Sequence, residues 1–198
     1  MEPKDMLDMA VAFHGHRCPA MPLGLRAGFA AMRALGVERA SNKELFCYLE
    51  VGPAHAMMCF GDGVQVSTGC TYGKGTIEKT EYGKTAITLI DVENKRAVRV
   101  ALKPEFQKKA LESTFVQLRK KGIEPKDIEV SVVDPLIEKV MMLSTDELFN
   151  ISDPFAIEFK RIKGTFNWFE CEGCGEVVFE NVLRVIDGKK LCVPCAEG

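Results

Sequence analysis

Four cysteines near the C-terminal end of the chain have the spacing of a metal site. They are Cys171, Cys174, Cys192 and Cys195, which form two Cys-x-x-Cys pairs separated by seventeen residues. A short Cys-x-x-Cys loop turns both sulfurs toward one ion, and four thiolates complete the tetrahedral coordination of Zn²⁺. Because no position remains for a substrate, the pattern predicts a structural zinc site that stabilises a small fold. Two disulfides or a redox Cys-x-x-Cys pair are the alternative interpretations.

A second group of ligand-type residues lies near the N-terminus, in the segment F-H-G-H-R-C-P. His14, His16 and Cys18 alternate along this segment, and alternate residues of an extended loop point to the same side. Imidazole and thiolate groups are good ligands for borderline divalent metals. Gly15 and Pro19 favour a loop between two helices, so the three side chains are expected to converge. The alternative is a capped turn with two polar histidines and a buried cysteine.

A glycine-rich stretch over residues 59–75 carries a third set of polar side chains. It offers five candidate site residues, which are Cys59, Asp62, Gln65, Cys70 and Lys74. A helix through its middle would place Asp62 and Gln65 on one face, and the glycines permit backbone close to a ligand. The glycine spacing differs from that of a Walker A loop, so nucleotide binding by that route is excluded. A tight turn entering a β-hairpin is the alternative.

The composition is that of an ordinary globular chain. Of 198 residues, 46% are hydrophobic and 27% are charged, so a sizeable core can form. The net charge of −2 gives no electrostatic basis for binding nucleic acid or anionic membranes. Neither a signal peptide nor an apolar run of roughly 18 residues is recognisable. Eight cysteines in such a chain favour a reducing compartment, so we expect a cytoplasmic protein.

Hydrophobic periodicity predicts an α+β fold. Helices are expected over residues 3–12, 20–35 and 104–121, and strands over residues 46–51, 85–90, 97–101 and 155–162. A turn over residues 92–95, a shorter helix after Asp134-Pro135 and a capping box at Ser144 and Glu147 complete the pattern. Strand clusters beside several helices favour helices packed on a mixed or antiparallel sheet. Small residues in helix 20–35 suggest close packing on another helix or a partner chain, and this helix is the expected dimer contact.

The sequence also predicts two domains. Residues 1–162 form the α+β core, and residues 163–198 form a four-cysteine zinc finger of the treble-clef or ribbon type, with a break near Gly164. Aromatic residues beside the first cysteine are expected to provide the small core of the finger, namely Phe166, Trp168 and Phe169. Acidic residues surround the same cysteines and argue against nucleic-acid binding, namely Glu170, Glu172, Glu176 and Glu180.

The N-terminal motifs together resemble the family of the E subunit of formylmethanofuran dehydrogenase. Three segments occur in order, F-H-G-H-R-C-P, C-F-G-D-G-V-Q-V-S-T-G-C-T-Y-G-K-G and Y-G-K-T. The cysteine quartet resembles the zinc finger appended to some members. Ala20 and Gly63 depart from residues common in the family, which affects the expected shape of the cleft. The resemblance implies an α+β core, a homodimer and a cleft around the histidine and cysteine motifs.

Carried over position by position, the resemblance assigns eight residues to this cleft, His14, His16, Cys18, Cys59, Asp62, Gln65, Cys70 and Lys74. The leading hypothesis is a metal-binding protein of redox-linked one-carbon or related chemistry, with a redox enzyme complex as a candidate partner. Its expected ligands are His14, Cys59 and either His16 or Cys18, with Asp62 orienting a histidine or acting as base. Two alternatives remain, a non-catalytic adaptor that binds a protein through the finger, and a metal-free thiol enzyme using Cys18, Cys59 or Cys70.

Overall fold

The computed structural model describes residues 2–53, 56–161 and 163–198. The chain separates into two units, Met1–Glu158 and Phe159–Gly198. The first combines helices with a mixed sheet, which is the α+β architecture expected from the sequence, and the second contains short hairpins and a terminal helix. None of the helices built from the described residues has both the length and the apolar character needed to cross a bilayer.

Helices make up much of the first unit. They are α1 (Leu7–His14), α2 (Ala20–Leu35), α3 (Cys59–Thr68), α4 (Pro104–Leu111), α5 (Thr114–Lys120), α6 (Val130–Met142) and α7 (Thr145–Leu148). A 3₁₀ turn over Pro3–Met6 leads into α1, and another over Pro125–Asp127 precedes α6. The predicted capping box begins α7, because Ser144 Oγ accepts a hydrogen bond from the Glu147 backbone N–H while the Glu147 carboxylate accepts one from Ser144 N–H.

The strands of the first unit form one sheet. They are β1 (Leu45–Leu49), β2 (Ile77–Lys79), β3 (Ala86–Asp91), β4 (Arg96–Leu102), β5 (Phe149–Ile151) and β6 (Phe155–Ala156). The strand order is β2-β1-β3-β4-β5, and β6 also pairs with β4. The β1–β2 pair is parallel and the other pairs are antiparallel, so the sheet is mixed. Strands β3 and β4 meet at the predicted turn over residues 92–95, where the Asn94 N–H donates to Asp91 Oδ1.

Some predicted elements differ in extent from those observed. The helix predicted over residues 104–121 is interrupted, because the Ser113 hydroxyl accepts a hydrogen bond from Val116 N–H and starts α5 as a separate helix. The helix predicted after Asp134-Pro135 begins earlier, and Pro135 lies inside α6 with its side chain exposed. The strand predicted over residues 155–162 is limited to its first two residues, and its predicted end at Ile162 lies outside the described residues.

Helix α2 is the central element of the first unit. Fourteen of its 16 residues are buried, because α2 packs against β3 and β4 and also against α3. The small residues of this helix therefore serve close packing inside the chain. The prediction that helix 20–35 provides a dimer contact is wrong, since its surface is already covered. Whether the protein is a homodimer remains a prediction.

Glycine permits the close contact between α2 and α3. A methyl group built on Gly63 would overlap the carbonyl oxygen of Met21, and one built on Gly24 would overlap the carbonyl oxygen of Phe60. Only hydrogen fits at these positions, so the two helices approach until backbone meets backbone. Gly24 and Phe60 lie near the N-terminal ends of α2 and α3, so their contact brings the segments that begin the two helices together.

A buried arginine connects α2 with the end of α6. The Arg26 guanidinium donates hydrogen bonds to the carbonyl oxygens of Val140 at 2.6 Å, Met141 at 3.1 Å and Leu143 at 2.7 Å. These carbonyls lie at the C-terminal end of α6, where a helix dipole favours positive charge. Burial lowers the pKa of Arg26 from its ordinary value. The arginine thus holds the last turn of α6 against α2.

The second unit consists of two hairpins and a helix. Its elements are β7 (Trp168–Glu170), β8 (Val177–Phe179), β9 (Arg184–Ile186), β10 (Lys189–Leu191) and α8 (Val193–Glu197), with a 3₁₀ turn over Glu180–Val182. Strands β7 and β8 pair antiparallel, as do β9 and β10. One cysteine pair flanks the turn after β7 and the other pair spans the start of α8. This arrangement is of the treble-clef type, one of the two types that the sequence predicted.

Replacing Gly63 with alanine tests the contact between α2 and α3. Alanine favours a helix by about 1 kcal/mol over glycine, but the added methyl meets the Met21 carbonyl, which cannot rotate away. We expect the free energy of unfolding to fall by about 3 kcal/mol in urea titrations followed by circular dichroism. The matched control is Gly73→Ala, since nothing lies within 4 Å of a methyl group there. A Gly63→Ala protein as stable as the parent would contradict the close contact.

Candidate metal centre and adjoining cleft

Two histidines and two cysteines converge where α1, α2 and α3 begin or end. One ligand atom from each of His14, His16, Cys18 and Cys59 lies within 4.8 Å of the other three, and we call these residues the core cluster. His14 is the last residue of α1, Cys18 precedes α2, and Cys59 is the first residue of α3. The structure thus brings all the candidate ligands together, including both His16 and Cys18, between which the sequence left a choice.

The histidines converge for a different reason from the one predicted. His14 belongs to a helix and not to an extended loop, and Gly15 ends that helix with a φ of +88°. This left-handed conformation favours glycine and reverses the chain direction. The reversal brings the His16 ring to within 4.2 Å of the His14 ring, measured between centroids, with the planes tilted by 42°. A helix C-cap, and not strand-like alternation, therefore positions the pair.

Asp62 orients the His14 imidazole. His14 Nδ1 donates a hydrogen bond to Asp62 Oδ2 at 2.7 Å, which leaves Nε2 facing the sulfur of Cys18 at 3.5 Å. The hydrogen bond to Asp62 is the main reason why the pKa of His14 rises to about 9. A carboxylate bonded to the far nitrogen of a histidine is the usual support for a metal-binding imidazole. The His14 side chain is 8% exposed and that of Asp62 is 36% exposed, so the carboxylate is accessible to a ligand.

Gln65 in turn supports Asp62. Its amide nitrogen donates to Asp62 Oδ1 at 3.3 Å, and its amide oxygen accepts a hydrogen bond from Tyr72 N–H at 3.2 Å. Cys59, Asp62 and Gln65 follow one another at intervals of three residues on α3. Their side chains therefore lie along one face of the helix. The helix considered for the middle of this stretch is observed as α3, and the glycine-rich residues after it form a turn that leads into β2.

His16 carries a buried nitrogen without a hydrogen-bond partner among the described residues. The atom is Nε2, and His16 is one of the four residues of the core cluster. Burial lowers the pKa of His16, and the nearby His14 lowers it further, so the imidazole is held neutral. Leaving a buried polar atom unpaired is unfavourable. A metal ion bound at this nitrogen would remove that penalty.

The two cysteines of the core cluster share a proton unequally. Two hydrogen bonds lower the pKa of the Cys59 thiol to about 4, the larger effect coming from Cys18 and the smaller from His14. The same interaction with Cys59, together with burial, raises the pKa of Cys18. Thiolate sulfur and imidazole nitrogen bind zinc at about 2.3 Å and about 2.0 Å, so donor atoms this close together can surround one ion. The residues of the core cluster therefore fit a borderline divalent metal.

A cavity of about 630 Å³ opens beside the core cluster, and we call it the cleft. Its volume lies within the range of about 300 to 1,000 Å³ that small-molecule sites occupy. Its polar and aromatic lining residues are His14, Cys59, Asp62, Gln65, Tyr72, Glu78 and Lys79. Charged groups of both signs and an exposed aromatic ring thus lie next to the candidate metal ligands.

Two predicted site residues lie away from the core cluster. Cys70 is completely buried beyond the end of α3, where burial raises the pKa of its thiol to about 11. The Lys74 ammonium lies 3.4 Å from the carbonyl oxygens of Ala40 and Ser41. Neither side chain lines the cleft. The glycine-rich residues around them instead form the turn that precedes β2.

Sequence reasoning missed part of the cleft wall. Tyr72, Glu78 and Lys79 face the cleft, although none was a candidate site residue. Strand β2 has only three residues and pairs in parallel with β1, so no alternating pattern marks it in the sequence. Its position at the edge of the sheet, where it lines the cleft together with α3, is decided by long-range pairing. The only available signal was the proximity of these residues to the glycine-rich motif.

The C-terminal cysteines form a second group of four. Their sulfurs lie within 4.8 Å of one another. Cys171 Sγ accepts hydrogen bonds from the backbone N–H of Gly173 at 3.4 Å and of Cys192 at 3.2 Å. Backbone hydrogen bonds, first from Cys192, then from Cys174 and Gly173, lower the pKa of Cys171 to about 6. The group has the thiolate arrangement that a structural zinc ion requires.

The predicted aromatic core of the finger is wrong. Phe166 is 96% exposed and Trp168 is 59% exposed, and only Phe169 is partly buried. The Lys190 ammonium lies 3.9 Å from the centre of the Phe169 ring, as a cation–π contact. Four sulfurs gathered around one ion can hold so small a unit together without an apolar interior.

Comparison with known proteins gives two family matches. The family described as FmdE, Molybdenum formylmethanofuran dehydrogenase operon, matches residues 13–150. The family described as Prokaryotic dksA/traR C4-type zinc finger matches residues 164–198. The first range contains the whole core cluster, and the second contains all four C-terminal cysteines. The second match supports a structural zinc ion on those cysteines and makes metal binding a property of this chain.

Two individual proteins are similar over nearly the whole chain. One from Archaeoglobus fulgidus, named "Probable S-adenosyl-L-methionine-binding protein", is 32% identical over 203 residues. The match covers 96% of this chain and 52% of the relative, so the chain spans about half the length of that relative. The other is the crystal structure of a protein from Syntrophus aciditrophicus that is described as like FmdE of a tungsten formylmethanofuran dehydrogenase. The two structures have a TM-score of 0.64 and 20% sequence identity, over 98% of this chain and 91% of that chain. This similarity shows that the two proteins share a fold.

Replacing Asp62 with asparagine tests the orientation of His14. The amide keeps the shape of the carboxylate but removes its charge, so the pKa of His14 should fall from about 9 toward its ordinary 6.5. NMR titration of the imidazole nitrogens, in protein freed of core metal by a chelator, measures this change. The control is Asp134→Asn, because Asp134 pairs with Arg17 and not with a histidine. An unchanged His14 pKa in the Asp62→Asn protein would show that the hydrogen bond does not form.

Proposed function

Because this chain belongs to the FmdE family and carries a C-terminal C4 zinc finger, we propose that its core cluster binds a second metal ion. The ion and the cleft together serve a small-molecule substrate in a redox-linked one-carbon or related process. The observation that carries the proposal is the convergence of four donor atoms within 4.8 Å, from segments of the chain far apart in sequence. The buried and unpaired Nε2 of His16 supports it further.

The proposed ligands are His14 and Cys59 together with His16, Cys18 or both. With three protein ligands, one coordination position is open to a substrate in the cleft, and with four the site is closed. A bound divalent ion supplies Lewis acidity at this position. Asp62 holds His14 with Nδ1 turned away from the ion, and its exposed carboxylate can accept a proton from a ligand in the cleft.

Metal content per chain tests the proposal. Protein purified without chelator should contain two metal ions per chain by elemental analysis, one of them zinc in the finger. His14→Ala and Cys59→Ala should each reduce the content to one, because each removes a donor of the core cluster. Cys174→Ser should also reduce it to one, by emptying the other site.

The matched control for the cysteine variants is Cys70→Ala. This thiol lies outside both groups of four, so the variant should keep both ions. A content of one metal that survives His14→Ala and Cys59→Ala would contradict the proposal. The low pKa of Cys59 would then favour a metal-free thiol enzyme, and rapid alkylation of Cys59 near neutral pH would identify it. Slow alkylation would exclude the thiol enzyme as well. The remaining hypothesis would be a non-catalytic adaptor that binds a protein through the zinc finger.

The relative from Archaeoglobus fulgidus favours a specific ligand for the cleft. That protein is named as a probable S-adenosyl-L-methionine-binding protein, and we propose the same ligand here. The cleft of about 630 Å³ offers Lys79 for a carboxylate, Glu78 for an ammonium group, and the exposed ring of Tyr72 for stacking with an adenine. Each end of such a zwitterionic molecule thus finds a group of suitable chemistry.

Calorimetric titration with S-adenosylmethionine tests this assignment. One molecule should bind per chain, and Lys79→Glu should weaken binding about 10-fold, because a carboxylate would lose its ion pair. Lys84→Glu is the matched control, since Lys84 is an exposed lysine of the same region that does not line the cleft. Equal weakening by both variants, or no binding by the parent protein, would refute this ligand.

A further inference from the structure

A second cavity lies in the core unit, apart from the cleft. It has a volume of about 140 Å³ and lies among α2, α4, α5 and α6. Its wall includes the apolar side chains of Leu23, Phe106, Phe115, Leu136 and Val140. Apolar cavities of about 150 Å³ stay free of water and accept molecules such as benzene. This cavity, which we call the apolar cavity, therefore suits a hydrocarbon group.

The charged residues that line the apolar cavity, in the described part of the chain, are two lysines. Lys109 of α4 and Lys139 of α6 line it, and both side chains are exposed, so their ammonium groups lie on its solvent side. Neither lysine forms an ion pair with any residue that the structure describes. Among the residues that the structure describes, none that lines the cavity carries a carboxylate. An apolar interior with two unpaired cations at its mouth is complementary to an amphiphilic anion.

We propose that the apolar cavity binds a short, unbranched aliphatic carboxylate. The alkyl chain lies among the apolar side chains, and the carboxylate lies between Lys109 and Lys139. Alkyl burial supplies most of the affinity, because each methylene removed from water contributes in proportion to its area. The lysines set the orientation and exclude cationic or neutral competitors. This site is independent of the metal proposed for the core cluster.

The volume predicts the preferred chain length. A cavity of about 140 Å³ is close to the volume that holds the six carbons of benzene. Affinity should therefore rise from butanoate to hexanoate by about 15-fold, the contribution of two buried methylenes. The rise should slow beyond hexanoate and stop by octanoate, because further carbons no longer fit inside. A preference that ends at a defined length distinguishes a cavity from an open apolar surface.

Calorimetric titration of the zinc-loaded full chain with butanoate, hexanoate, octanoate and decanoate measures this dependence. Octan-1-ol is the neutral comparison and should bind about fivefold more weakly than octanoate at low salt. The difference should decrease as salt screens the ammonium groups. Binding that is absent for all four acids, or equally tight for all four, would overturn the proposal.

Two variants locate the site. Ala110→Phe fills the apolar cavity from α4 and should reduce octanoate affinity at least about 10-fold, with folding checked by thermal unfolding. Lys109→Glu combined with Lys139→Glu should weaken octanoate but leave octan-1-ol unchanged, and these exposed positions keep the fold intact. The control is Lys108→Glu combined with Lys120→Glu, which makes the same charge change at exposed residues outside the lining.

Equal weakening by the two double variants would show that only net charge matters, and would overturn the site. So would an Ala110→Phe protein that is folded and binds octanoate as tightly as the parent. A dimer cross-linked through Ala110→Cys, without any carboxylate binding, would show that a second copy of the chain covers the cavity instead.

Discussion

The close contact between α2 and α3 is the constraint on which the rest of the core depends. At Gly24 and Gly63 the two helices meet through backbone atoms, and no side chain fits between them. This contact brings Cys18, just before α2, next to Cys59 at the start of α3. The packing of α2 against α3 therefore sets the distance between the donor atoms of these segments in the core cluster. Because α2 also packs against β3 and β4, the sheet and the candidate metal centre are held by the same helix.

Electrostatics then adapt the core cluster to a cation. Asp62 supports His14 through a hydrogen bond, burial lowers the pKa of the partly buried His16, and hydrogen bonds lower the pKa of the Cys59 thiol. A positively charged ion among these donors would take the place of protons that the groups now share. The negative charge of Asp62 stays at the edge of the cleft, where a ligand can reach it. The Asp62 carboxylate thus both orients the candidate metal ligand His14 and faces the cleft.

The two groups of metal-binding residues differ in how they are built. In the finger, cysteines close in sequence converge through short turns, and backbone N–H groups stabilise the sulfur of Cys171. The unit exposes Phe166 and Trp168, so its stability depends on the metal more than on apolar burial. In the core unit, packing of α2 builds the fold, and the ligands are added at helix ends. Loss of metal should therefore affect the finger's fold more than that of the core.

The sequence by itself determined the local features. Cysteine spacing identified the zinc finger, periodicity identified α2 and the β3–β4 hairpin, and the motif residues His14, His16, Cys18 and Cys59 were recognised as candidate ligands. Tertiary structure decided which candidates meet, because Cys70 and Lys74 share a motif with Cys59 yet lie beyond the far end of α3. It also decided that β2 borders the cleft and that nearly all of α2 is buried. Spacing along the chain specifies local conformation, whereas these outcomes depend on contacts between residues far apart in sequence.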